Sequence, residues 1–127
     1  LTNAIDEALI RRGLLAPRLL RSLSTQALVD TGAVYLVIPA TIAQQLGLEI
    51  LGQQGVKYAD GRVETVGLTE PLKIECEGRE TTEDAVVTGD EVLIGQVVLE
   101  KLDLLVDCKN QRLIPNPANP DRPVFRV

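Results

Sequence analysis

Residues 27–39, ALVDTGAVYLVIP, set a carboxylate in the middle of an apolar run. Ala27, Leu28 and Val29 lead into Asp30, and Val34, Leu36, Val37 and Ile38 follow it. A carboxylate that reads as core is costly unless it is hydrogen-bonded, paired or neutralised. The next residues indicate how this is met. Thr31 offers a hydroxyl, and Gly32 permits a tight turn that aims backbone N–H groups at the carboxylate. A bare Asp-Thr-Gly arises by chance in roughly one chain in sixty of this length, so the surrounding segments have to carry the argument. Read alone, Asp30 is equally an acid that caps a turn between two strands.

Composition narrows the setting. A chain of 127 residues, 45% hydrophobic, is long enough for one domain, 1–127, with a real core. No run of about 18 apolar residues is present, so no membrane partner is expected, and the start lacks the layout of a signal peptide. The chain begins at Leu1 and contains no methionine, which reads as a fragment or a processed form. A net charge of −5 disfavours a nucleic-acid partner, because phosphate binding needs a basic field. Arg11, Arg12, Arg18 and Arg21 collect early, but Asp6 and Glu7 sit beside them, which reads as a solvated face. The absence of histidine removes Ser-His-Asp and Cys-His catalysis and most zinc sites. Cys76 and Cys108 lack metal-ligand spacing and read as reduced, structural residues of a cytoplasmic protein, the alternative being a disulfide between them. No metal and no cofactor are expected.

The punctuation of the chain predicts mostly β structure with one or two short helices. Asn3 reads as the cap of a helix near Ala4–Arg12, closed by Gly13; in the alternative, Leu1–Ile5 ends a strand and the helix starts at Asp6. Ala27–Val29 is a strand and Thr41–Leu46 a helical turn closed by Gly47. Val56–Val66 is a hairpin about Asp60-Gly61, a strong tight-turn pair. A second hairpin turns at Glu77-Gly78, from Leu72–Cys76 to a return arm ending at Ala85–Val87. Val92–Ile94 is a short buried strand ending in Gly95, and Val97–Leu102 is a helix. Leu104–Val106 and Arg112–Ile114 pair about Lys109-Asn110. The tail 115–127 is too proline-rich for regular structure until a possible last strand, Val124–Val127.

The motif Ala27-Leu28-Val29-Asp30-Thr31-Gly32-Ala33 resembles the active-site motif of the retropepsin-like aspartic proteases, in their bacterial stand-alone form. Val56-Lys57-Tyr58-Ala59-Asp60-Gly61-Arg62 resembles the flap hairpin that follows it in that family. Val92-Leu93-Ile94-Gly95, then the helix Val97–Leu102 and the strand Leu104–Asp107, are similar in order and spacing to the family's later segments. The likeness spans roughly residues 27–114; residues 1–26 match poorly, although the family's first strand helps to hold its dimer. Val34, Tyr35 and Gln96 stand where the retroviral pattern has acids and their arginine partner, so acid and base are missing together and substrate preference does not carry over.

The resemblance implies a closed, β-rich acid-protease fold and a definite chemistry. Aspartic proteolysis uses two carboxylates sharing one proton, and this chain holds one Asp-Thr-Gly. The second copy has to come from a partner, which implies an isologous homodimer with Asp30 of each subunit at the two-fold axis. Asp30 would be catalytic. Thr31, Gly32, Ala33, Ile94 and Gly95 would support the active-site loop, with Ala33 beside substrate. Tyr58, Ala59, Asp60, Gly61 and Arg62 would form the flap over a peptide or protein substrate bound as an extended strand. Tyr58 reads equally as an ordinary strand aromatic. Ala33 lacks the hydroxyl that some relatives carry there, which implies cleavage at mildly acidic to neutral pH. The competing reading is a non-catalytic dimerisation or peptide-binding module on the same fold.

Overall fold

A computed structural model of the chain describes residues 1–125 and 127. The architecture is mostly β with few short helices, as the sequence predicts. The strands are β1 (Thr2–Asn3), β2 (Ala27–Val29), β3 (Leu36–Ile38), β4 (Ile50–Lys57), β5 (Val63–Thr69), β6 (Leu72–Cys76), β7 (Arg79–Glu83), β8 (Ala85–Val87), β9 (Val92–Ile94), β10 (Leu104–Asp107) and β11 (Arg112–Pro115). Three α-helices rather than one or two stand among them: α1 (Ala4–Arg11), α2 (Ala40–Gln45) and α3 (Gln96–Leu102). The third is the turn expected at Thr41–Leu46, which forms one residue earlier, directly after the extended Pro39.

The largest sheet has the order β2-β9-β3-β8-β5-β4. At its centre β9 runs parallel to β2 and antiparallel to β3, while β3 runs parallel to β8. Two smaller sheets, β1-β6-β7 and β10-β11, pack beside it. Strand pairing does not join the sheets into a ring; closure comes from one shared core. Leu36 and Ile38 of β3, Leu72 of β6, Ala85 of β8, Ile94 of β9, Val98 and Leu102 of α3 and Leu104 of β10 are buried in a single cluster. Every sheet contributes to it, so none of them can shift alone without opening cavities.

Four sequence expectations need correction. The segment Ala27–Val29 does not sit in the core: β2 is an edge strand, and Leu28 is 56% exposed. The hairpin expected over Val56–Val66 starts earlier, at Ile50, because its outer arm is exposed on both faces and shows no apolar alternation. The return arm after Glu77-Gly78 breaks at Asp84 and feeds two sheets. No strand forms at Val124, Phe125 or Val127, and Arg126 lies outside the described residues.

Residues 1–26 are tied to the body by polar contacts. Both sequence readings of the start hold in part: Thr2–Asn3 pairs with β6, and the helix begins at Ala4. Asn3 Oδ1 accepts the Asp6 N–H at 3.0 Å, and its Nδ2 donates to the Leu46 carbonyl at 2.7 Å. Arg21 donates from Nε and Nη2 to the two Asp6 oxygens, each at 2.9 Å. This hydrogen-bonded guanidinium holds the buried Asp6 carboxyl below its usual range. A carboxyl with a depressed folded-state pKa stabilises the fold above its unfolded value and loses that contribution as pH falls through the folded value. Urea unfolding from about pH 5 down to about pH 2 is expected to show Asp6→Asn losing less stability than the wild type over the same range.

Candidate active site

The loop from Asp30 to Tyr35 leaves the end of β2 and lies across the junction of β9 and α3. Three backbone bonds pin it there. Asp30 N–H donates to the Ile94 carbonyl at 3.0 Å, Gln96 N–H to the Ala33 carbonyl at 2.9 Å, and Val97 N–H to the Val34 carbonyl at 3.0 Å. The loop closes on itself through Ala33 N–H and the Asp30 carbonyl at 3.1 Å.

Gly95 makes this approach possible. A Cβ there would lie 2.5 Å from the Tyr35 carbonyl oxygen, 2.7 Å from the Val34 carbonyl carbon and 2.8 Å from the Ala33 carbonyl oxygen. All three atoms are backbone, so any side chain at 95 would have to lift the loop. Gly32 has a milder requirement. Its N–H donates to Asp30 Oδ1 at 2.9 Å, and a Cβ on it would stand 3.2 Å from the same oxygen. The turn inferred from the sequence, with a backbone amide aimed at the carboxylate, is therefore present.

Asp30 is half-buried, Thr31 and Gly32 are exposed, and Ala33 is half-buried. Beside them Val34 and Tyr35 are 54% and 52% exposed. The carboxylate thus lies at an open edge of the sheet with apolar side chains around it. An open groove of about 1180 Å³ borders this edge but does not contain Asp30. It runs alongside β2, between Leu28, the β6–β7 turn at Cys76–Gly78 and the β10–β11 hairpin at Val106 and Leu113. Both cysteines border it as free thiols, and burial pushes the Cys76 thiol up. Among the described residues no three His, Cys, Asp or Glu side chains gather as a metal site would require.

The five expected flap residues lie together at the tip of the β4–β5 hairpin. Tyr58 N–H donates to the Arg62 carbonyl at 2.8 Å, Gly61 N–H to the Tyr58 carbonyl at 2.9 Å, and Arg62 N–H to Asp60 Oδ1 at 2.9 Å. Gly61 has φ +86°, the left-handed region that favours glycine, and Ala59 is exposed. Among the described residues no hydrogen bond joins this tip to the Asp30 loop. The tip instead reaches Thr88, whose Oγ1 lies 2.9 Å from Tyr58 Oη. Sequence reading missed Thr88, because nothing local marks a threonine at a strand end as a partner for a residue thirty positions away. Ile94 meets Asp30 through its carbonyl, and Gly95 lies against the backbone of residues 33–35.

A lone Asp-Thr-Gly loop seated on a glycine shelf, over a sheet of this order, defines a retroviral-type acid-protease domain. The family model described as gag-polyprotein putative aspartyl protease matches residues 21–107, more than half of the chain, and the chain belongs to that family. No curated protein matches the chain. The match begins before β2 and takes in the hairpin, the shelf and β10. Gly95→Ala is expected to destabilise the fold by about 1–3 kcal/mol, as overpacking does, and to shift the backbone amide resonances of residues 30–35. Gly32→Ala should do less of both, measurable by thermal unfolding and two-dimensional NMR.

Proposed function

We propose that the chain is an aspartic endopeptidase that works as an isologous homodimer, with Asp30 of each subunit at the shared axis. The observation that carries this reading is the placement of Asp30. It is held by the Gly32 amide at an open sheet edge, bordered by exposed Leu28, Val34 and Tyr35. Isolated carboxylates at an edge do not hydrolyse peptides; two sharing one proton do. One carboxylate takes a proton from a water, whose oxygen attacks the scissile carbonyl. The other gives its proton to the carbonyl oxygen, and the resulting tetrahedral adduct breaks down as the amine leaves with a proton.

The remaining roles follow from this placement. The exposed Thr31 hydroxyl would bond across the axis. Gly32 would orient the carboxylate, Ala33 would face substrate, and Ile94 and Gly95 would hold the loop from beneath. The flap residues Tyr58–Arg62 would cover a peptide bound as an extended strand. Residues 1–127 would act as one unit, since β1 and the Asp6–Arg21 pair join the first segment to the rest. No helix among the described residues is long and apolar enough to cross a membrane, and the two free thiols favour a reducing, cytoplasmic setting.

Incubation with unstructured peptides from about pH 4 to 7, with new termini read by mass spectrometry, tests the reading. Asp30→Asn is expected to lower cleavage by at least about a thousandfold while sedimentation still reports a dimer. A dimeric wild type that makes no cuts would support the binding module instead. With alanine at 33, the cleavage optimum is expected between mildly acidic and neutral pH; an optimum below about pH 3 would contradict the role given to Ala33.

A further inference from the structure

The distal half of the β4–β5 hairpin has little to hold it. Residues 50–55 of β4 are exposed, as are residues 63–65 of β5. Among the described residues the hairpin pairs with the rest of the sheet near its base, where Gly67 and Leu68 face β8 and Val66 is buried. A two-stranded ribbon without an apolar face is marginally stable in water, so its pose has to be fixed elsewhere.

Tyr58 supplies the missing contact. Among the described residues it makes the only side-chain hydrogen bond from the distal hairpin to the body, from Oη to Thr88 Oγ1 at 2.9 Å. The Arg62 guanidinium lies over the same ring, 4.4 Å from its centroid, and fixes the ring from within the hairpin. Thr88 is itself anchored, since its N–H donates to the Ile38 carbonyl at 3.1 Å. The bond therefore joins an unsupported element to a supported one. Its position follows from the strand directions. β9 ends at the Asp30 loop, and β3 and β8 run the other way, so Thr88 lies at the far end of these three-residue strands. That is about 10 Å from the loop along the strand direction. The residues between Thr88 and β9 continue directly into the strand whose Ile94 carbonyl binds the Asp30 amide.

We propose that Tyr58 and Thr88 form a latch, and that both are positioning residues that hold the hairpin in its peptide-binding pose before substrate arrives. With the latch closed, less ordering is left to be done on binding. Loss of the latch should thus weaken peptide binding without touching the carboxylate. The consequence for peptides rests on the endopeptidase reading above; the latch itself does not.

The test is amide hydrogen exchange of the full chain, read at residues 57–63, for Tyr58→Phe, Thr88→Val and the double variant. Tyr58→Phe keeps the ring under Arg62, and Thr88→Val keeps the backbone bond to Ile38. Each single change is expected to speed exchange about fivefold, the loss of one hydrogen bond, with the double variant no faster than either. Thr88→Ser, which keeps the hydroxyl, should restore the wild-type rate. In peptide cleavage, KM should rise about fivefold with kcat changed less than about twofold. Unchanged exchange in both single variants, or fully additive effects in the double, would overturn the latch whatever the cleavage result. Faster exchange with KM unchanged would overturn its part in binding. Faster exchange in a chain that cleaves nothing, wild type included, would uphold the latch and reject the endopeptidase reading.

Discussion

The contact between Gly95 and the carbonyl groups of residues 33–35 is the constraint on which the site depends. Backbone meets backbone there with no room for a methyl group. That contact, with the bonds from Asp30, Gln96 and Val97 to their partners, turns a surface loop into a rigid shelf. The geometry can persist only because β9 lies between β2 and β3, with one face, Val92 and Ile94, in the core. Burial of α3 through Val98, Leu99 and Leu102 then fixes the other half of the shelf. The carboxylate is thus positioned by packing several residues away from it, and the polar contact from Gly32 only chooses its rotamer.

Peripheral segments are held by a different kind of interaction. Arg79, buried in β7, donates to the Leu102 carbonyl at 3.0 Å, to the Asp103 carbonyl at 2.9 Å and to the Asn119 carbonyl. Asp103, in a left-handed conformation at the end of α3, accepts from Asn116 and Asn119 side chains and from the Val124 amide. These bonds hold its carboxyl below the usual range, the Asn116 bond most of all. A proline-rich tail has few backbone donors with which to join a sheet, so side-chain bonds to one arginine and one aspartate take over that task. The Asp6–Arg21 pair does the same at the other end of the chain. Gly47 lies against the Arg21 guanidinium with φ +61°, so a side chain there would be strained and would displace the guanidinium.

Residues with a strict local requirement were the legible ones. Gly61 and Gly95 are legible because each answers a backbone demand that glycine meets best, and Asp30 because it stands in the Asp-Thr-Gly that carries the resemblance. Strands whose apolar residues enter the core, such as β9, were legible as well. Three features were not. The outer arm Ile50–Gly55 is exposed on both faces, so no periodicity marks it. The break at Asp84 depends on which sheet receives the chain, a tertiary choice with no local signature. Thr88 bonds to a residue thirty positions away, and a threonine at a strand end looks the same with or without such a partner.

The misreading of Ala27–Val29 is of another sort. Composition alone records that a segment is apolar; it does not record which surface covers it. Leu28, Val34 and Tyr35 flank the only Asp-Thr-Gly of the chain and stay exposed. Apolar side chains grouped about one carboxylate are more costly to leave in water than scattered ones, and such patches mark surfaces that meet something. On the homodimer reading, the same association that covers these residues brings the second carboxylate into place. Burial and catalysis then share one equilibrium, so activity would depend on chain concentration more steeply than in proportion, and any change that weakens the apolar contact would act on rate without touching the acid.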